Sequence, residues 1–291
     1  MSLPKFSDYQ VNQEYNSYSL DAHRVWQESL NRAIALNISL GHHMHSAYSS
    51  GLSALELKHS IPRIEDINRL LKPTGWQTIC VNGYIPSFEY SQLISNNIFP
   101  FSRVIRKFEH IDYSPVPDLV HDVIGHLPML FCKEYRDFLQ RLASVMVQAA
   151  PNQLDAELYN ANNTLSLLKN DTNASPESVL EAEQKLLSIH QSLQSSASEV
   201  ALLSRFYLWT IEFGLLGTPR NFQIYGAGLL SAPNEFKSVC NNVSPILPCD
   251  LAILNKDINF TELQDQYFVA EDFHQLNDIL TDYESKRLGR E

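Results

Sequence analysis

Two apolar segments, each with ionisable groups inside it, constrain this chain more than anything else. PDLVHDVIGHLPML, residues 117–130, sets His121, Asp122 and His126 in an otherwise oily run. SRFYLWTIEFGLL, residues 204–216, is apolar on every side when drawn as a helix, which marks it as buried, yet it carries Glu212 with no cation on the adjoining turns. An ionised carboxylate left unpaired there would be costly, so Glu212 must be protonated, hydrogen-bonded or metal-bound.

The histidine spacing is unusual. Five steps along an ideal α-helix leave the second side chain about 140° from the first. Both rings can reach one ion only if the backbone departs from that ideal, and Gly125 and Pro128 are the residues that permit a departure at a helix end. The alternative is two unrelated histidines, one bonded to backbone in the core and one at the edge. Two histidines with Glu212, and other positions left open, would make the facial triad of non-haem Fe(II) oxygenases. Zinc with the same donors is chemically possible, although Asp122 does not stand where the base of an HExxH site would.

The rest of the chain describes an ordinary soluble globular protein. It has 291 residues, 44% hydrophobic and 19% charged, enough to bury a substantial core. A formal net charge of -11 argues against a nucleic-acid or anionic-membrane partner. The polar start shows no basic-then-apolar leader, and no window is long and apolar enough for a membrane span. Cys80, Cys132, Cys240 and Cys249 form no CxxC pair, so reduced thiols in a cytoplasm are expected.

Periodicity predicts helices over 20–38, with Val25, Leu30, Ala33, Ile34 and Leu36 inward, over 64–71 and 87–98, and one or two over 118–147. Short strands are expected in WQTICV, in a strand-turn element at QIYGAGLLSAP and in DQYFVAEDF, the last followed by a polar helix. Residues 150–200 read as a surface-mounted helical hairpin around the DTNASPES loop. Its leucine stripes would pack on the body or on a partner. GHHMHS at 41–46 reads as a solvated helix-end cluster, with no carboxylate or cysteine beside it. The fold class is mainly α with a few short β-strands.

Six blocks, in order, resemble the tetrahydropterin-dependent aromatic amino acid hydroxylase family, and the short bacterial phenylalanine 4-hydroxylases within it: PTGWQTICVNGYIP, NNIFPFSRVIR, DYSPVPDLVHDVIGHLPML, FYLWTIEFGLLGTP, QIYGAGLLS and QYFVAEDFHQL. The resemblance implies a single catalytic domain over 1–291 that holds Fe(2+) through His121, His126 and Glu212. Reduced tetrahydropterin and O2 then react at the iron, the ring of a free aromatic amino acid is hydroxylated, and the pterin leaves as a carbinolamine. It further implies Arg106 as the grip on the substrate carboxylate, supported by Asp118. Ser114 would stand near the substrate's amino-acid end, Pro115 near its ring, and Gly228 in the pocket wall. Ser231 becomes a partner of a ligand histidine and Asp122 a tuner of the iron surroundings. Gly83 and Tyr90 fall in a loop that holds the pterin; Tyr90 replaces the family's usual Phe.

Leu208 departs from the family, which commonly has Trp there, so a wider pocket could take tryptophan or favour another ring position. The 150–200 hairpin is expected to be an insertion relative to short bacterial members. With neither a regulatory domain nor a tetramerisation helix expected, a monomer is favoured unless the hairpin dimerises. A zinc hydrolase and a non-catalytic binder are the competing classes.

Overall fold

The computed structural model describes residues 10–82, 85–112, 117–170, 173–195, 197–258 and 263–287. Gly83, Ser114 and Pro115 lie outside them, so the roles expected of these three have no structural counterpart here.

The first helix, α1 (Leu20–Leu40), starts where the Ser19 hydroxyl accepts the Ala22 amide at 3.1 Å. It buries Val25, Trp26, Leu30, Ala33 and Leu36, but Ile34, expected inward, is 40% exposed. A 3₁₀ turn at Gly41–His43 follows, with His42 and His43 on the surface side, then α2 (Ser46–Ala54) and α3 (Ile64–Leu71). β1 (Gln77–Val81), α4 (Ser87–Ser95) and β2 (Ile98–Ser102) come next. The helix expected over 87–98 therefore stops early, and its last residue opens a strand. β2 pairs in parallel with β1, Gln77 opposite Ile98 and Val81 opposite Ser102, which buries Phe99 and Phe101. Asn97, at φ 60°, makes the turn between helix and strand.

Residues 118–147 are not one regular helix. A π-helical turn over His121–His126 runs into a 3₁₀ turn at Leu127–Phe131, and only then into α5 (Lys133–Met146). The hairpin is present as α6 (Gln153–Asn170) and α7 (Pro176–Ser195). Its stripe of Ala161, Leu165, Ala182, Leu186, Ile189 and Leu193 packs mainly between its own two helices, with Ala201 from the body as the bridge.

α8 (Glu199–Tyr207) is capped by the Ser198 hydroxyl and passes into a second π-helical turn, Leu208–Glu212. The chain then leaves helix for β3 (Leu215–Thr218) and β4 (Asn221–Ile224), so Leu215 and Leu216 belong to a strand and not to the helix expected there. The expected strand-turn at 223–233 is a strand end followed by the helical turn α9 (Ala227–Leu230), and then α10 (Pro233–Cys240). β5 (Ile246–Pro248), β6 (Tyr267–Ala270) and α11 (Phe273–Arg287) complete the described chain. The second sheet has the order β4-β3-β6-β5, antiparallel only between β3 and β4.

A single large core joins α1, α5, both π-turns and this sheet. Trp26 and Trp209, both buried, each satisfy their indole N–H on a backbone carbonyl, of Lys58 and Lys256. All four cysteines are unpaired. Among the described residues no helix is long and apolar enough to cross a membrane.

Candidate functional site

The two π-turns explain how residues five apart come to share a face. In this winding the amide of one residue bonds the carbonyl five positions back. The Leu127 amide reaches the Asp122 carbonyl, and the Phe213 amide reaches that of Leu208 at 2.9 Å. One turn therefore sets His121 and His126 on nearly the same face, and the other delivers Glu212 to them. Gly125 has a different function from the hinge the sequence suggests, since its φ is not among the positive ones. A Cβ there would lie 2.7 Å from the Ala227 carbonyl oxygen, so glycine is what lets α9 lie against this turn.

The donor atoms converge closely. The Nε2 atoms of His121 and His126 are 3.2 Å apart, and Glu212 places Oε2 3.2 Å from the first and Oε1 3.1 Å from the second. One donor atom from each of the three residues lies within 4.8 Å of the others, so the set is close enough to share a single metal ion. Among the described residues no other His, Cys, Asp or Glu group has this arrangement. GHHMHS contributes nothing of the kind.

The hydrogen bonds fix the chemistry of the donors. Ser231 Oγ donates to the Ala227 carbonyl at 2.8 Å, so at 2.9 Å it accepts the Nδ1–H of His121. That leaves the lone pair of His121 on Nε2, facing the cluster, as a metal ligand requires. His126 Nδ1 is buried with no hydrogen-bond partner among the described residues. Its ring is held instead by packing on Phe99, at 4.9 Å between centroids.

Burial favours neutral imidazoles, and it takes His126 below the usual value. His121 feels the same burial, but the charge and hydrogen bond of Glu212 carry it above. Burial also pushes the Glu212 carboxyl up; the two imidazoles outweigh that and hold it well below the carboxylate range. The result is a buried, ionised carboxylate that draws positive charge. Asp122, buried beside His121, is pushed up to about 7 by burial, while its Oδ2 accepts the Ser102 amide at 2.7 Å.

Above the donors opens a cavity of about 230 Å³ whose wall includes His121, Asp122, His126, Glu212, Tyr90 and Leu208. Tyr90 does reach it, though from helix α4 and not from a loop. Arg106 and Gly228 are not on that wall. Gly228 instead lies behind it, where a Cβ would come 3.0 Å from the Glu212 carbonyl oxygen. Arg106, 6% exposed, is paired with the buried Asp118, NH2 to Oδ1 at 2.6 Å and Nε to Oδ2 at 3.0 Å. Its NH1 reaches the Ile111 and Ser231 carbonyls only at 3.4 Å. Asp118 also accepts the His121 amide at 3.0 Å, which ties the arginine to the start of the metal-facing turn.

The sequence did not point to Phe99, Ser102 or Tyr207. Alternation in IFPFS marks Phe99 as inward, but nothing local says that it backs His126. Tyr207 is one aromatic among several in its segment.

The comparisons agree with this geometry. The family model described as biopterin-dependent aromatic amino acid hydroxylase matches residues 14–174 and 181–291. A phenylalanine-4-hydroxylase of Chromobacterium violaceum is 27% identical over 278 residues, covering 94% of this chain and 77% of the relative. One of Ralstonia nicotianae is 26% identical over 275 residues, covering 93% and 72%. The crystal structure of the Chromobacterium violaceum enzyme with bound oxidised Fe(III) superposes with a TM-score of 0.74 at 26% identity, covering 97% of this chain and 86% of that one. Its form with iron(III) and 7,8-dihydrobiopterin gives 0.73 at 25% identity, covering 97% and 87%. With its matched segments spanning nearly the whole length, the chain belongs to the family of biopterin-dependent aromatic amino acid hydroxylases.

Proposed function

We propose that this chain hydroxylates the ring of a free aromatic amino acid, L-phenylalanine to L-tyrosine, using Fe(2+), a tetrahydropterin and O2. The observation that carries the reading is the meeting of His121, His126 and Glu212, at 3.1–3.2 Å between neighbouring donor atoms, beneath a mainly apolar cavity. Bound there, iron with the reduced pterin supplies the oxygen activation that ring hydroxylation needs.

The chain's own groups do the rest. His121, His126 and Glu212 would hold the ion at the cavity wall. Ser231 keeps His121 in the ligating tautomer. Asp122, anchored by the Ser102 amide, sits beside His121 without joining the donor set and tunes its surroundings. Arg106, oriented by Asp118, takes the substrate carboxylate in place of its two long carbonyl contacts. Tyr90 and the neighbouring apolar wall exclude water and pack the pterin.

Leu208 on the cavity wall favours a second reading, in which a bulkier substrate such as tryptophan is accepted. Aerobic incubation with Fe(2+), tetrahydropterin and a panel of Phe, Trp and Tyr, with products read by mass, decides between them. Tyrosine from phenylalanine is the expected outcome. Hydroxytryptophan alone would reassign the substrate, and turnover with Zn(II) in place of Fe(2+) would overturn the oxygenase reading. The hairpin spends most of its leucines between its own helices, which supports a monomer, measured by light scattering.

A further inference from the structure

The two walls of the cavity are joined by a contact that the proposed reaction does not use. Tyr90 Oη and Tyr207 Oη lie 2.7 Å apart, with the rings edge to face at 5.8 Å and 88°. Tyr90 stands on α4; Tyr207 is the last residue of α8 and directly precedes the π-turn that ends in Glu212. Both rings line the cavity. The same Tyr90 ring packs edge-on against Phe99, at 6.4 Å and 81°, and Phe99 is the ring that lies on His126. Among the described residues His126 has no hydrogen bond on Nδ1, so on that side of the ring this packing is what supports it.

We propose that Tyr90 is a positioning residue of the metal centre: its hydroxyl holds Tyr207, and with it the Glu212-bearing turn, while its ring backs the Phe99 that supports His126. A π-turn is a short, locally irregular segment, and its last residue is only as well placed as its anchors. The helix-side anchor here is Tyr207, whose own hydroxyl has its partner 117 residues away in sequence. Ligand residues held by supporting groups bind metal more tightly than the same residues left loose. Removing either hydroxyl breaks this bond at a part-buried site, so either loss alone relaxes the same joint.

This inference rests on the metal-site reading above, and the test keeps the two apart. Co(II) binding to the intact chain is followed by competition titration and by its visible d–d bands, for the wild type, Tyr90→Phe, Tyr207→Phe and the double variant, with His121→Ala as the reference. Each single variant should raise the Co(II) Kd by about 3- to 10-fold and shift the bands, with the melting temperature little changed. The double variant should be no worse than the weaker single, because both remove one joint. Tyr90→Leu, which also strips the ring from Phe99, should bind more weakly still. Unchanged bands and affinity in both single variants, or losses that simply add in the double, would overturn the proposal. Wild-type binding that ignores His121→Ala would instead overturn the metal-site reading.

Discussion

The π-turns and the hairpin are both helical, and they are held by opposite means. The hairpin uses ordinary α-helical repeats: Ala161 and Leu165 on one helix face Ala182, Leu186, Ile189 and Leu193 on the other, with Lys169 and Glu183 paired at 2.9 Å outside. Its stripe is met mainly from within. The turns at His121–His126 and Leu208–Glu212 lack such a repeat and are fixed by distant partners, Ser231 on His121, Phe99 on His126 and the Lys256 carbonyl on Trp209, with Asp118 bonding the His121 amide locally. An apolar stripe at helical spacing suffices to seat two helices on each other. Bringing one donor atom from each of three residues within 4.8 Å requires irregular winding, and irregular winding needs supports from elsewhere in the chain.

If that contrast is right, damage at the turns is chemical and damage at the hairpin is local. The largest effect belongs to Glu212→Ala and His121→Ala: bound iron should fall to background and pterin-dependent turnover by more than about 100-fold, while circular dichroism still reports a folded chain. Full turnover in either variant would break the assignment. Arg106→Ala comes next. The KM for the amino acid should rise by about 10- to 100-fold and that for the pterin by less than about 3-fold, a split of roughly one to two factors of ten in binding. Because this change strands the Asp118 carboxylate, 1% exposed, stability should drop by about 3–5 kcal/mol. Arg106→Lys, which keeps the charge, should recover most of the stability and less of the KM. An equal rise in both KM values would count against the grip. Ser231→Ala is milder: iron affinity should weaken by about 10-fold through loss of the tautomer lock, read by chelator competition.

The same contrast explains what the sequence disclosed. Helices α1, α3 and the hairpin were legible because their periodicity is α-helical and their packing is one-sided. His121, His126 and Glu212 were legible for the opposite reason, as charge-bearing groups where an apolar run should have none. Their convergence was not legible from spacing, because five residues is the wrong interval for an α-helix and the right one for a π-turn. No local signal announces that winding. Gly125 looks like a hinge in the sequence, whereas what it permits is the close approach of the Ala227 carbonyl from another element. The strand at Ile98–Ser102 was hidden because its apolar residues extend the preceding helix pattern, and only pairing with Gln77–Val81 selects strand. Tyr90 with Tyr207, and Phe99 with His126, are tertiary contacts across 117 and 27 positions, beyond any window reading.

The smallest expected effect on turnover is the sharpest test of the contrast. Leu186, 8% exposed, sits in the middle of the hairpin stripe, and Leu186→Ala should remove about 2–4 kcal/mol from the contact between α6 and α7. That loss is confined if the hairpin opens as its own unit. Amide exchange should then accelerate over residues 153–195, while iron content stays at the wild-type level and kcat within about 2-fold. The joint to the body argues for confinement. The Ser198 hydroxyl donates to Asp155 at 2.7 Å and caps α8, Glu199 pairs with Arg287 at 2.6 Å, and Arg205 pairs with Asp257 at 2.8 Å. The first of these bonds belongs to the hairpin base, but the other two lie wholly within the body and hold α8 without the hairpin. A fall in kcat of more than about 10-fold would show that hairpin and turns are one mechanical unit, with the strain passing through Ala201 and α8 to Glu212.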